Sequence, residues 1–331
     1  MRLFRPLVAL SLLVMVAGCK PKEEPAAVKK PLKIAYSDWP GWTAFEIAIQ
    51  KGWFKEAGVD VEFSWFEYAP SMDAFTAGKV DAVTIASCDA LVTGAQGGKN
   101  VAILVTDFSN GNDMIVAKPG IATLKDLKGK KVGLEIGLVE HLLLLKGLQL
   151  NGMHDSDVKL VATPTHQTAQ VLATGDVDAI GAWQPNSGQA LKSLPGSKAI
   201  FTSAGAPGLI YDFLSVSPQS LAERRDDWVK VVKVWDKVIA YLADSTTRKD
   251  GIRMMAARVG VPPEDYAKFL DGTRFLTLAE SRTRFAAGKD LTSIPYSLSV
   301  SDTFNVQNKV YAASQTLATY FDSTLEIDAL K

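Results

Sequence analysis

The sequence predicts an α/β fold of two lobes, each a mostly parallel sheet flanked by helices, with two crossovers joining them. Three observations carry this. A strand–turn–helix–strand pattern occurs twice, as KIAYSDWPGWTAFEIAIQKGWFKEAGVDVEF from Lys33 and KVGLEIGLVEHLLLLKGLQLNGMHDSDVKLV from Lys131. AGKVDAV (77–83) recurs as TGDVDAI (174–180), so two independent matches share an offset of 97–98 residues. That spacing means duplicated lobes, not a solenoid of short repeats. Finally, TDFSNGNDMIVAK (106–118) and APGLIYDFLSVSP (206–218) interrupt the pattern and lead into new strands. A chain that crosses twice puts its first and last parts in one lobe and its middle in the other. The lobes are then 32–112 with 211–331, and 113–210.

The elements follow in order. MRLFR brings two arginines, Leu7 to Ala17 is an eleven-residue apolar run, and VAGC follows. A basic start, an apolar stretch too short to span a bilayer and small residues before a cut site describe a secretory signal over 1–18. Gly18-Cys19 resembles a bacterial lipobox, which implies a lipidated Cys19 and membrane anchoring, although Val16 stands where leucine is commoner. KPKEEPAAVKKP has no apolar periodicity and reads as a flexible tether, 19–31. Cys88, left without a partner, reads as a small buried residue.

Each copy reads β-α-β-α-β, the order of parallel strands joined by helices. Ligands of such sheets bind outside the carboxyl ends of the strands. The informative turns are therefore SDWPGW (37–42), the segment 65–71, ASCDA (86–90), LEIGLVE (134–140), ATPTHQ (162–167) and AWQPN (182–186). After the second crossing, Ser217-Pro218 is an N-cap with proline at the first helical position. Trp228, Val231, Trp235, Val238 and Leu242 then form one stripe at helical spacing, the mark of core packing. The remainder reads as helical and wraps back onto the first lobe.

Composition excludes several classes. With 36 Lys+Arg against 36 Asp+Glu in 331 residues, the formal charge is zero, which argues against a nucleic-acid partner. One apolar run is not a polytopic membrane protein, and two cysteines do not make a disulfide scaffold. His141, His154 and His166 lie 13 and 12 apart, without metal-ligand spacing. No G-x-S-x-G, H-E-x-x-H or phosphate-loop motif appears. The expectation is a non-enzymatic monomer without cofactor or metal.

The first repeat, AFTAGKVDAV and the DLKGKKVGLEIG segment resemble the periplasmic solute-binding proteins of ABC importers in the nitrate/sulfonate/taurine superfamily. The resemblance covers the whole chain after the signal. It implies the two-lobed periplasmic-binding-protein fold, type II-like, and partnership with a membrane permease. SDWPGW, EHLLLLKGLQLNGM, DAIGAWQPNSGQALK and PGLIYDFLSVSPQSLAERRDDW are similar to the branch encoded near urea carboxylase. That branch implies a small nitrogen-rich solute, guanidine first and urea next. Many anion-binding relatives open the second lobe's first helix with Gly-Ser or Gly-Thr, whose N–H groups and hydroxyl hold an oxyanion. Here Ile136-Gly137-Leu138 stands there, with Glu135 and Glu140 beside it.

Charge placement points the same way. The segments 34–50, 80–98, 100–117, 132–145, 160–191 and 199–223 carry the candidate turns and both crossings; they hold twelve acids and no Lys or Arg. Some acids read as structural: Asp81 and Asp178 occupy matched places in the repeated VDA strand starts, and Glu46 and Asp176 read as facing solvent. Asp38, Asp89, Glu135 and Asp212 lie just after strands or at a crossing and are the candidates for ligand contact. A carboxylate buried in a closing cleft needs a cation or a donor-rich partner, and a planar guanidinium matches it bidentately. Trp39 and Trp183 are the candidate faces for a flat cation; Trp53 reads as core. Trp42, Tyr68, Ser87, Glu140, Gln184 and Tyr211 form a second rank. The alternatives are a sulfonate, nitrate, taurine or pyrimidine receptor on the same fold, or a lipoprotein that signals to a sensor.

Overall fold

The computed structural model describes residues 29–331, of which Pro31–Lys331 pack as one unit. The secretory signal, Cys19 and nearly all of the tether lie outside the described residues. Eleven strands are present among those described. β1 (Leu32–Tyr36), β2 (Val61–Trp65), β3 (Ala82–Ala86) and β4 (Val101–Ser109) precede the first crossing. β5 (Met114–Ala117), β6 (Lys131–Leu134), β7 (Lys159–Ala162), β8 (Ala179–Ala182) and β9 (Lys198–Thr202) follow it, and β10 (Tyr211–Val216) and β11 (Thr273–Phe275) come after the return. One sheet has the order β11-β4-β10-β3-β1-β2 and the other β7-β6-β8-β5-β9.

The repeat is visible in the pairing. β1 lies parallel between β2 and β3, and β6 lies parallel between β7 and β8. Matched aspartates tie both units: Asp81 Oδ2 accepts the Lys33 N–H at 2.8 Å, and Asp178 Oδ2 accepts the Lys131 N–H at 2.9 Å. Their structural role follows from that position. The outer pairings are antiparallel, so the sheets are mixed. The cause is the crossings: β5 and β10 arrive from the other sheet through short connections without an α-helix, and run against their neighbours.

Hydrophobic burial fixes the layers. Trp228, Val231, Trp235 and Val238 are fully buried and Leu242 nearly so, along the helix Pro218–Ala243. That helix begins where Ser217 Oγ accepts the Ser220 N–H at 3.2 Å. Truncating one of these tryptophans to alanine costs about 3–5 kcal/mol by loss of packing. Trp53 belongs to the same core, with Lys237 Nζ 4.4 Å from its ring centre. Glu46 corrects the solvent-facing expectation. It is 7% exposed, accepts the Tyr36 hydroxyl and pairs with Arg258 at 3.4 Å, whose guanidinium lies 4.3 Å from the Trp65 ring centre. The sequence hides this because Arg258 is 212 residues away. Asp176 is exposed as expected.

Candidate functional site

The turns after β1, β2, β3, β6 and β8 and both crossings converge on one small chamber. Four aromatic rings wall it: Trp39, Trp42, Tyr68 and Trp183. Trp42 stacks on Tyr68 with ring centres 5.3 Å apart, Trp183 meets Tyr68 edge-on at 5.1 Å, and Trp39 meets Trp42 at 6.5 Å. Ala86, Val139 and Ile210 complete the apolar lining, and Asp113 and Asp212 are its charged members. Its free space is about 220 Å³, counted with the part open to solvent, and nearly all of it is too narrow for a water molecule. What remains is room for about one water, so only a very small solute enters without opening the walls.

Local sequence holds the rings in place. Trp39 Nε1–H donates to Asp107 Oδ1 at 2.9 Å, and Gly41 permits the approach, since a β-carbon there would sit 1.8 Å from Asp107 Oδ2. The Tyr68 hydroxyl donates to Asp89 Oδ2 at 2.7 Å and accepts the Ala86 N–H at 3.0 Å. Trp42 Nε1 is buried without an acceptor.

Carboxyl groups crowd behind the rings. Asp89, Asp107, Asp113, Glu140 and Asp212 are each at most 3% exposed. None of them forms an ion pair with Lys or Arg among the described residues. Burial pushes Asp89 and Asp107 up to about 7 and Asp113 up to about 6, and raises Asp212 and Glu140 well above the carboxylate range. No N–H or hydroxyl donor reaches Asp113 Oδ2, Asp212 Oδ2 or either oxygen of Glu140. An ionised group left this way costs several kcal/mol, on the order of the desolvation of a buried charge.

Asp38 does a different job from its neighbours. Trp183 Nε1–H donates to its Oδ1 at 2.8 Å and the Asn186 amide to its Oδ2 at 2.7 Å, joining the end of β1 to the end of β8. Asp89 makes a second link between sheets, because its Oδ2 also accepts the Val139 N–H at 3.3 Å, at the start of the helix Val139–Leu150. His166 and Glu67 approach to 3.2 Å across the same opening. The lobes are therefore shut and latched by direct bonds.

The structure brings Trp39, Trp183 and Asp212 to the chamber wall, with Trp42 and Tyr68 from the second rank. Asp89 stands one bond behind it, through Tyr68. Glu140 is buried beside Asp113. Glu135 lies off the chamber, where its Oε1 accepts the Thr165 N–H at 3.3 Å. Ser87 Oγ accepts the Tyr211 N–H at 3.3 Å, the Tyr211 hydroxyl turns away to the Leu291 carbonyl, and Gln184 Oε1 accepts the Gly188 N–H. Asp107 and Asp113 are the site acids that the choice of candidates omitted. Their signal was the TDFSNGND crossing itself, since a hinge segment between two sheets must pass the cleft. Among the described residues no group of three or more His, Cys, Asp or Glu side chains is arranged to hold a metal ion. Cys88 is buried and free, and burial first, then Asp89, pushes its thiol well up.

Known proteins resemble this chain in sequence and in shape. A Brucella abortus protein named as a binding protein is 30% identical over 168 residues, and the match spans about half of each, 50% of this chain and 52% of the relative. An Escherichia coli protein named for binding aliphatic sulfonates is 25% identical over 240 residues, 70% of this chain and 73% of its own. The alkanesulfonate-binding protein of Xanthomonas axonopodis pv. citri, solved with MOPS bound, superposes with a TM-score of 0.74 at 17% identity, covering 91% of this chain and 99% of that one. At such identity the likeness shows the periplasmic-binding-protein fold and no more. A desulfurization enzyme shares that fold with a TM-score of 0.62 at 16% identity, covering 90% of this chain and 99% of its own, so fold alone does not separate binding from catalysis. The NMT1/THI5-like family matches residues 39–247, a span that contains both crossings and every residue lining the chamber, and the chain belongs to that family.

Proposed function

We propose that this protein is the extracytoplasmic solute-binding component of an ABC importer, anchored through Cys19, which closes on a small nitrogen-rich cation of the guanidinium type and presents it to a membrane permease. The observation that carries this reading is a chamber of four aromatic rings backed by buried carboxyl oxygens that lack donors. Cations over aromatic faces gain about 2 kcal/mol when desolvated, and a guanidinium supplies planar N–H donors that fit carboxylates in pairs. Both needs of the chamber are met by one small ion. Its lining has no serine, cysteine or histidine to pair as nucleophile and base, which supports binding over catalysis.

An anion fits this chamber poorly. A helix N-terminus is the natural seat of an oxyanion, and here the first N–H of Val139–Leu150 is bonded to the protein's own carboxylate, Asp89. Any sulfonate or nitrate must displace Asp89 and then face Asp113 and Asp212. Isothermal titration with guanidinium, taurine and nitrate tests the reading. Guanidinium heat at micromolar concentrations is expected, with none from the anions; taurine or nitrate binding without a guanidinium signal overturns it.

A further inference from the structure

Four of the buried acids are arranged as two pairs. Asp107 on β4 and Asp212 on β10 are direct partners in the antiparallel register, which sets their side chains next to each other on one face of the sheet. Asp113, just before β5, lies close enough to Glu140 on the helix Val139–Leu150 that, after burial itself, its charge does most to hold the Glu140 proton. Glu140 fits there because Gly181 on β8 has no side chain; a β-carbon at Gly181 would lie 2.9 Å from the Glu140 β-carbon. Two neighbouring carboxylates buried away from water resist being ionised together, so such a pair favours keeping one proton. The first pair lies on two strands of one sheet and the second between the start of β5 and the helix Val139–Leu150, and Asp212 and Asp113 extend from them into the chamber lining with an oxygen that no donor reaches.

We propose that the two carboxyl pairs are proton-binding sites and that solute cation and protons compete for them, so that the protein captures its solute by exchanging protons for it. This rests on the cationic reading above. In the empty chamber each pair keeps one proton, since the groups around it add negative or neutral surroundings and no positive charge. Around Asp107 and Asp212 these are Trp39, Thr106, Asp113, Asp89, Cys88 and Tyr266. Around Asp113 and Glu140 they are Ser109, Glu135 and Asp89. A cation entering between the pairs supplies both the missing charge and the missing donors, so one of the two retained protons is no longer favoured. A proton then leaves to solvent as the cation arrives, and the sum of charge in the chamber changes little. By linkage, protons weaken cation binding by the same factor that cation binding weakens proton affinity.

The test is calorimetry of the whole secreted chain with guanidinium chloride, whose cation does not titrate in the range used. Titrations in two buffers of different ionisation heat count the protons released, and a series from pH 5.5 to 8 gives the affinity slope. Release of about half to one proton per cation is expected, with affinity rising about three- to tenfold per pH unit, since one full proton corresponds to tenfold. Glu140→Gln removes one pair's second acid and is expected to lower the number of protons released; an unchanged proton count overturns that pair's part in the exchange. Tight guanidinium binding with no proton release and a flat pH profile overturns the exchange and leaves the cationic reading intact. Absence of guanidinium binding at every pH overturns both.

Discussion

Asp212→Asn separates a functional carboxylate from a structural one. The wild-type side chain is 2% exposed, faces Asp107 directly across the ladder, and has Oδ2 without a donor. An asparagine of the same shape gives Asp107 a permanent N–H donor in place of a carboxyl that must keep its proton. The empty protein should therefore gain stability, on the order of 1–3 kcal/mol from a satisfied hydrogen bond to a charged group. For a chain of this size that raises the melting temperature by about 2 °C or more. The cation loses a charge-assisted bond worth about 1.5–3 kcal/mol, which is about a 10- to 150-fold loss in affinity at about 1.4 kcal/mol per decade. Differential scanning calorimetry without ligand and titration calorimetry with guanidinium read the two effects separately. Opposite signs, a higher melting temperature with weaker binding, mark a carboxylate kept for its ligand. A lower melting temperature with unchanged guanidinium affinity refutes that reasoning.

Three further outcomes follow from the geometry. Trp183→Phe keeps a ring in the wall but removes the Nε1–H bond to Asp38; small-angle scattering should show a larger radius of gyration without ligand, and guanidinium should bind about tenfold more weakly, the worth of one such bond. An unchanged radius and affinity would show that the latch does not hold the lobes. Gly41→Ala forces a β-carbon onto Asp107 and the Trp39 indole, so it should cost about 1–3 kcal/mol of stability and weaken binding, whereas a neutral effect on both would mean that the Trp39–Asp107 bond is dispensable. Stability of the empty protein should fall as pH rises from 5 to 8: Asp89, Asp107 and Asp113 have folded values of about 6 to 7 against 3.8 unfolded, so the folded state binds more protons across that window and loses their contribution as they leave. Glu326, raised to about 8 by burial, adds to the same slope, while His141, lowered by burial, opposes it at the acidic end. A melting temperature that climbs over this range would contradict the assignment of raised carboxyls.

The sequence disclosed the fold wherever local pattern and long-range order coincide. The VDA repeat marked two equivalent aspartates that do equivalent work, and the tryptophan stripe on Pro218–Ala243 marked a buried face. The crossings were legible as composition, but their consequence, antiparallel strands in both sheets, was not, because strand direction depends on how the connection is made in space. The site was half legible. Position after a strand pointed to Trp39, Trp183 and Asp89, and position at the second crossing pointed to Asp212, which lies at the start of β10. It could not separate chamber from latch: Asp38 and Glu135 sit at equivalent strand ends, yet each is taken up by donors from elsewhere, Asn186 and Trp183 for the one, Thr165 for the other. Asp107 was hidden because its importance comes from Trp39 and Asp212, 68 and 105 residues away. Glu46 shows the converse, an acid in a helix that looked solvated until Arg258 and Tyr36 closed over it.

The claim that the chamber is built for positive charge has a direct measurement. Urea and guanidinium are planar, of nearly one shape, and differ chiefly in one unit of charge, so their affinities compared at pH 7.5 isolate that charge from size and form. Two or more orders of magnitude in favour of guanidinium is the expected result, at least about 3 kcal/mol. Urea binding as tightly as guanidinium would contradict it.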